Sequence, residues 1–194
     1  PTNSACRLLA ADANTRLYFQ PALNYNGTVA NAITFRAWDQ TTGSNGGTGD
    51  ATTNGGSSAF STATDVAAIT VTPVNDAPTG TNLSANETFI EDTPLNLIDI
   101  VVADVDNTTL SVTLTLSNPA AGSLSTGTSG AVTSTYTAGT GVWSANGAIA
   151  DLNALLAAVS FTPALNFSSS FTIATSVSDG TASAPGSKTM TATA

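Results

Sequence analysis

The chain has 194 residues, enough for one large domain or two small ones. It carries 13 acidic and four basic residues, no histidine and a net charge of −9, while only 9% of its residues are charged. So few basic residues argue against a nucleic-acid partner and against binding to anionic membrane surfaces. A surface built mainly from Thr, Ser, Asn and Gly favours an extracellular location, on the cell surface or secreted, and the excess of acid permits metal cations.

The chemistry of most enzymes has no basis in this sequence. The single cysteine, Cys6, allows no internal disulfide, and no histidine is present to activate it as a nucleophile. No G-x-S-x-G elbow, zinc-ligand spacing or phosphate-binding loop occurs. No apolar run is long enough to cross a bilayer. We therefore expect a protein that is not an enzyme, has no catalytic residues and does not insert into a membrane.

The first third of the chain predicts strands separated by long loops. Ile33, Phe35 and Ala37 alternate with Thr34, Arg36 and Trp38, and residues 66–72 predict a second strand. Residues 41–58 are rich in Gly, Asn and Ser, which predicts a loop. This loop is long for a compact domain, so we expect it to be a mobile excursion or an interaction surface.

The rest of the chain repeats the strand pattern with one helix. The unbroken apolar run 97–102 predicts a central strand, apart from Asp99 within it, and alternation predicts further strands at 110–116, 171–177 and 188–193. Leucines 152, 155 and 156 with Val159 have helical spacing, and Asp151 is the expected N-cap. Lys188, the only lysine, is expected to be a solvated charge.

Short strands and frequent turns indicate an all-β protein, and we predict an antiparallel β-sandwich of the immunoglobulin-like type.

The chain also contains an internal repeat. "FQPALN", which begins at Phe19, matches "FTPALN", which begins at Phe161, 142 residues later. Asp39 then matches Asp179, 140 residues later, so a gap of two residues lies between.

The two copies of the repeat are not equally complete. About eighty residues separate the second copy, taken as a whole at Val159–Gly180, from the Pro-rich stretch "VTPVNDAPT" at 71–79, but only sixteen precede the first copy, Leu17–Asp39. We therefore predict the C-terminal half of one module at 1–74, a linker at 75–78 and a nearly complete module at 79–194. The first module is incomplete as it stands.

Acidic residues, with two asparagines, cluster beside predicted strand ends. They are Asn75 and Asp76 in "VNDAP", Glu91 and Asp92 in "FIEDTPL", Asp104, Asp106 and Asn107 in "ADVDN", Asp39 in "AWDQ" and Asp179 in "VSDG". Hard oxygen ligands in excess of basic partners suit Ca²⁺, which takes six to eight oxygens. "DVDN" is not an EF-hand loop, because Thr109 and Thr115 stand where Gly and Glu are required. The alternative is that these residues only form turns.

The pattern "EDTP…DVDN…LNALLAAVSFTPALNF…VSDG", together with "VTPVNDAPT", resembles bacterial cadherin-like tandem repeats of very large secreted surface proteins and adhesins. The resemblance covers nearly the whole chain. It implies cadherin-like sandwich modules in tandem, with Ca²⁺ held between consecutive modules.

The resemblance also implies which residues hold the ion. Carried over by position, they are Asn75 and Asp76 at the joint, Asp104 and Asp106 as the D-x-D pair, and Asp179 at the strand end. Glu91, with Asp92 beside it, would serve the opposite pole of the second module, and Asp39 would serve the far pole of the first.

Three functions follow as expectations. The first is a structural and adhesive segment of a large extracellular bacterial surface protein, whose partners are neighbouring modules and a cell-surface target. The second is a filament subunit, in which copies of the chain complete one another's sheets by strand exchange. The third is a carbohydrate-binding module that uses the 41–58 loop and Trp38, since Trp38 and Trp143 could stack on sugars.

Overall fold

The computed structural model describes residues 2–193. The chain forms two compact units, Pro1–Val74 and Asn75–Ala194. Residues 75–78, which the sequence sets apart as a linker, group with the second unit. The regular structure of both units is almost entirely β, with antiparallel pairs except for the parallel pair of the strands at 87–90 and 183–193, which confirms the all-β prediction. No helix in the described part of the chain is long and apolar enough to cross a membrane.

The second unit is a β-sandwich. Its strands are β5 (Thr79–Thr81), β6 (Glu87–Ile90), β7 (Leu95–Asn96), β8 (Val101–Ala103), β9 (Thr109–Leu116), β10 (Gly122–Leu124), β11 (Thr128–Ser129), β12 (Val132–Thr133), β13 (Thr135–Thr137), β14 (Val142–Ala148), β15 (Ser160–Pro163), β16 (Phe171–Ser178) and β17 (Ser183–Thr193). The sandwich is built on a six-stranded sheet with the order β13-β14-β9-β16-β17-β6. A three-stranded sheet, β10-β15-β7, and two short pairs, β5-β8 and β11-β12, complete it. A 3₁₀ turn, Pro119–Ala121, precedes β10.

The core of this unit follows from period-two alternation. On β9, the four predicted inward residues are buried (Leu110, Val112, Leu114 and Leu116), while the Ser and Thr between them are not. Phenylalanines from several strands pack together, with the rings of Phe161 on β15 and Phe171 on β16 centred 5.0 Å apart. Aromatic pairs of this kind add to the area that they bury. Trp143 is fully buried among these residues.

One helix, α1 (Ile149–Leu156), crosses beside the core. Its leucines are buried as predicted, but the N-cap prediction is wrong: the helix begins two residues before Asp151, and Ala148 occupies the N-cap. Because Ala148 offers no side-chain acceptor, the first turn is anchored instead by the Ile149 N–H, which donates to the Thr108 carbonyl at 3.1 Å. The Asp151 carboxylate lies in the first turn, where it accepts from the Ser129 hydroxyl.

The prediction of a central strand at 97–102 is also wrong. Only Val101 and Val102 of the run lie in a strand, β8, and residues 97–100 belong to no strand. Side chains satisfy some of its backbone groups, while the Leu97 N–H donates to the Val159 carbonyl at 3.0 Å. The Ile98 N–H donates to Glu87 Oε2 at 3.0 Å, and the Asp99 carbonyl accepts from the Asn82 side chain at 2.8 Å.

Lys188 is fully buried rather than solvated. It lies on the inward side of β17, at the same parity as buried Met190. Its Nζ donates to Glu87 Oε1 at 2.8 Å and to the carbonyls of Ala85 and Ile98 at 3.3 and 3.4 Å. Burial of the charge is possible because every ammonium proton has an acceptor.

The first unit contains β1 (Cys6–Arg7), β2 (Gly27–Phe35), β3 (Thr48–Gly49) and β4 (Asp65–Val71), with a 3₁₀ turn at Asn3–Ala5. Its pairs are β1-β3 and β2-β4. Its small core consists of Leu8, Ala51 and Phe60. Part of the 41–58 loop is held by the N-terminal segment, since β3 pairs with β1 and the Leu8 N–H donates to the Gly47 carbonyl at 3.0 Å.

The internal repeat has a structural counterpart. Asn24 and Asn166 share left-handed backbone angles, with φ of 59° and 57°. The preceding turns close with the same hydrogen bond, from Tyr25 to Ala22 and from Phe167 to Ala164. The β2-β4 hairpin therefore corresponds to the β16-β17 hairpin.

Strand register explains the gap in the repeat. In the first unit Val29 pairs with Ile69 and Ile33 pairs with Ala67, so β2 has two residues more than β4 over this interval. In the second unit Phe171 pairs with Met190 and Ile173 with Lys188, with no such excess. The two residues missing from the second copy of the repeat are therefore those of a β-bulge in β2.

The buried pair gives a stability prediction. Lys188→Met should cost about 3–5 kcal/mol of unfolding free energy, because it leaves Glu87 buried and unpaired. The double variant Glu87→Gln/Lys188→Met should recover most of this loss, since both charges are then gone. Chemical denaturation of the three proteins measures the effect. A cost below about 1 kcal/mol for Lys188→Met alone would show that the pair is not a buried ion pair.

Candidate functional site

Three segments meet at one pole of the second unit. Ser178, the last residue of β16, pairs with Ser111 near the start of β9, so the loops before β9 and after β16 lie at the same end of the sheet. Thr79 at the start of β5 pairs with Ala103 at the end of β8. This pairing sets residues 75–78 beside the turn that begins at Asp104. The strand register thus brings "VNDAP", "DVDN" and "SDG" together.

Hydrogen bonds join all five residues of the proposed set. The Asn75 amide donates to Asp179 Oδ2 at 2.8 Å, and the Asp76 N–H donates to Asp106 Oδ2 at 2.7 Å. The Asp106 N–H in turn donates to Asp104 Oδ1 at 2.8 Å. We call these five residues, with Asn107, the acidic pole.

Asp104 is the most constrained carboxylate of the acidic pole. Its Oδ1 accepts from the N–H groups of Asp106 and Asn107 at 2.8 and 2.7 Å, which closes a tight turn. Its Oδ2 is buried and has no hydrogen-bond partner among the described residues. A buried carboxylate oxygen left in this way is costly, and a cation would remove the cost.

Asp179 is held ionised. Its Oδ1 accepts from the N–H groups of Thr181 and Ala182, both at 2.6 Å. The Ala182 N–H is the largest of the causes that lower the pKa of this carboxyl, followed by the Asn75 side chain and the Thr181 N–H. Hydrogen bonds to the charged form stabilise it, so Asp179 keeps its negative charge to lower pH than an ordinary aspartate.

No basic side chain of the second unit offsets these charges. Residues 75–194 contain nine acidic residues and one basic residue, Lys188. Lys188 is buried against Glu87 and is not available to the acidic pole. The pole therefore has four carboxylates, at Asp76, Asp104, Asp106 and Asp179, with only amide donors between them.

The donors suit calcium, but the carboxylates do not converge on one point. Within residues 2–193, no three acidic, histidine or cysteine side chains form a group that could hold a metal ion. The Asn75 amide and the Asp76 N–H lie between the carboxylates and occupy some of their oxygens. What fits Ca²⁺ is the chemistry of the set, all carboxylate and amide oxygens, and the buried Oδ2 of Asp104.

The remaining predicted residues lie elsewhere. Ile90 pairs with Thr193 at the opposite end of β17 from Asp179, so Glu91 and Asp92, which follow Ile90, lie at the other pole of the second unit. Asp92 Oδ1 accepts from the Asn166 N–H at 2.9 Å. The structure therefore gives Asp92 a role in holding the turn of the repeat.

Asp39 belongs to the first unit, beyond the end of the hairpin where Phe35 pairs with Asp65. Its Oδ1 accepts from the Thr41 hydroxyl at 2.6 Å and the Thr41 N–H at 2.9 Å. These two bonds, the hydroxyl first, lower the pKa of Asp39. Asp179 and Thr181 form the equivalent turn in the second unit, 140 residues later.

Asn107 is the member of the acidic pole that the sequence did not assign as a ligand. Its side-chain amide lies 3.4 Å from Asn75 Oδ1 and 3.3 Å from Asp104 Oδ1, and donates to both. The available signal was its position, three residues after Asp104 in the same turn. An aspartate at the start of such a turn accepts from backbone N–H groups two and three residues later.

The tryptophans give little support for sugar stacking. Trp143 is fully buried and donates its indole N–H to the Ser125 carbonyl at 3.0 Å, so no face of its ring is free. Trp38 is half-buried against the small core of the first unit and donates to the Thr42 carbonyl at 2.9 Å. It lines a shallow cleft with Asp39 and Phe60.

No protein-family model matches this chain, and a search among curated proteins finds no match.

The acidic pole predicts a pKa change. Asn75→Ala removes the side-chain donor to Asp179, so the pKa of Asp179 should rise toward the ordinary value of 3.8 while remaining below it, because two N–H donors remain. Stability from this depressed pKa is present above the unfolded-state pKa and is lost as pH falls through the folded-state pKa. The variant should therefore lose this stability at a higher pH on acidification. Carboxyl carbon NMR titration checks the shift, and an unchanged Asp179 pKa would show that the Asn75 contact is absent in solution.

Proposed function

We propose that this chain is a structural and adhesive repeat segment of a large extracellular bacterial surface protein, in which Ca²⁺ rigidifies the joint between cadherin-like modules. The observation that carries the proposal is the buried, unpartnered Oδ2 of Asp104 within a group of carboxylates that has no basic neighbour in its own unit. The residues that would hold the ion are Asp104, Asp106 and Asp179, with Asn75 and Asp76.

The joint is chemically suited to this role. Residues 72–78, between β4 and β5, belong to no helix or strand and contain Pro73 and Pro78, which restrict the backbone. Asn75 and Asp76 lie in this segment and already contact Asp179 and Asp106. A cation would supply the positive charge that this pole lacks, and so would couple the joint to the strand ends of the second unit.

The proposed location follows from the same chemistry. Calcium sites of extracellular modules have dissociation constants of about 10⁻⁴ to 10⁻³ M, so they are filled outside the cell and report external calcium. A surface rich in Ser, Thr, Asn and Gly, with few charges, is in keeping with that environment. The proposed partners are neighbouring modules of the same protein and a target on another cell. The proposal includes no catalytic step.

Calcium should stabilise the protein and limit bending at the joint. With dissociation constants of about 10⁻⁴ to 10⁻³ M, roughly 10 mM Ca²⁺ should add about 1.4–2.7 kcal/mol to the unfolding free energy of the second unit. Thermal melting in calcium and in chelator measures this stabilisation, and small-angle scattering measures the range of shapes. If melting and scattering profiles are the same in both conditions, the proposal is wrong.

Two variants separate the proposed site from general charge effects. Asp104→Asn keeps an oxygen to accept from the turn N–H groups but loses the charge and the second carboxylate oxygen, so it should abolish the calcium effect while the protein stays folded. Asp99→Asn removes the same charge from an exposed position outside the acidic pole and should leave the effect unchanged. Equal loss in both variants would point to non-specific charge screening.

A further inference from the structure

The first unit has the same hairpin as the second unit but lacks the strands that cover it. In the second unit, β16 and β17 pair with each other, and each has one further neighbour. β9 pairs with the other edge of β16, and β6 pairs with the other edge of β17. Among residues 2–74, β2 and β4 pair only with each other. β15 is likewise flanked by β10 and β7, whereas the equivalent residues 18–21 belong to no strand.

Side chains that the missing strands would cover are more exposed in the first unit than their equivalents in the second unit. Phe161 is 0% exposed, while Phe19 is 44% exposed. Phe171 is buried, while its equivalent Val29 is 40% exposed. Leu165 and Leu23 are a useful contrast, since they are 82% and 92% exposed, so this position is open even in the complete module. The extra exposure of the first unit is therefore concentrated where strands of the second unit provide cover.

β2 lacks most of the features that discourage an added strand. Its nine residues, Gly27–Phe35, include no charged residue and no proline. Natural edge strands are usually protected by lysine, proline, short length or a β-bulge. The bulge in β2 lies between Val29 and Ile33, so the segment from Ile33 onward, which would meet the partner's strand, lies beyond it. An uncharged edge of this length, beside exposed Val29 and Phe35, has the properties of a strand that receives a partner.

We propose that residues 17–71 are an acceptor for a polypeptide with the strand pattern of residues 79–148 of this chain. The partner supplies an antiparallel strand to β2 in the way that β9 serves β16, and a parallel strand to β4 in the way that β6 serves β17. On β9, Leu116, Leu114 and Val112 pair with Ile173, Thr175 and Val177. The equivalent positions that the partner's strand meets are Ile33, Phe35 and Ala37.

The partner is not a second copy of this chain. Residues 1–194 contain two C-terminal module halves, at 17–71 and 159–193, but only one N-terminal half, at 79–148. When copies exchange their N-terminal halves, each half covers one C-terminal half. One C-terminal half per copy therefore stays uncovered, however the copies are arranged. The covering polypeptide therefore comes from outside residues 1–194. This disfavours the filament of identical, mutually completed subunits that the sequence allows.

The test adds the missing half to the full chain. A fusion carries an extra copy of residues 79–148 ahead of residue 1, and hydrogen exchange is followed at residues 27–35. Exchange of these amides should slow at least about tenfold relative to the unfused chain, because buried, paired amides exchange only on opening. Phe35→Lys in the fusion should abolish the protection. Leu23→Lys should not, since its equivalent is exposed in the complete module.

A second measurement covers failure of the fusion to fold. A separate polypeptide of residues 79–148 is added to the unfused chain, and sedimentation and hydrogen exchange are measured. The proposal expects a one-to-one complex with protection at 27–35. Unchanged exchange there in both experiments overturns it. An unfused chain that forms open-ended polymers with residues 27–35 protected also overturns it, because copies would then cover one another. This inference does not depend on calcium.

Discussion

The pairing of β9 with β16 is the interaction on which both the core and the acidic pole of the second unit depend. Over this pairing, Leu114 and Leu116 on β9 bury beside Ile173 and Val177 on β16, which closes the apolar interior. The same register ends with Ser111 opposite Ser178, and so fixes the loops at 104–107 and 179–182 side by side. Each buried aliphatic side chain stabilises the fold by about 1.5–3 kcal/mol. The same pairing therefore also holds the carboxylates of these two loops close together, although they repel one another. Where the equivalent of β9 is missing, in the first unit, the same hairpin leaves its apolar side chains exposed.

Charge is distributed in the second unit so that its single cation lies in the core. Lys188 compensates Glu87 and two backbone carbonyls, and this buried pair links β17, β6 and the irregular segment before β8. The acidic pole is left to backbone and amide donors, which hold Asp104 and Asp179 as turn formers. The turns therefore form from the chain's own groups, and the proposed cation would offset only the charge that remains. With that division, the pole would be both a part of the fold and the proposed site for an ion.

Much of the fold was predictable because the alternation of apolar residues is strong. β9, β16 and the leucines of α1 were found from periodicity alone, and the internal repeat set the segments of β2 and β16 at equivalent positions. Lys188 was misjudged because its charge was given more weight than its parity with Met190, and parity decides which face of a strand a residue occupies. The run 97–102 was misjudged because its apolar content says nothing of Asn82 and Glu87, the side chains that take its backbone hydrogen bonds. Asp151 has the character of an N-cap, but the helix begins earlier, at Ile149.

Five of the six members of the acidic pole, all but Asn107, were predicted through a family resemblance, and strand register is what brings them together. The buried Oδ2 of Asp104 was not accessible from sequence, because it depends on how the turn at 104–107 packs against its neighbours. This atom is central to the account. The most direct measurement is a crystal structure of the full chain grown with calcium, with anomalous scattering used to locate the ion. The account predicts a peak about 2.3–2.6 Å from Asp104 Oδ2. A well-ordered acidic pole with no peak there, and with a protein donor bonded to Asp104 Oδ2, would contradict it.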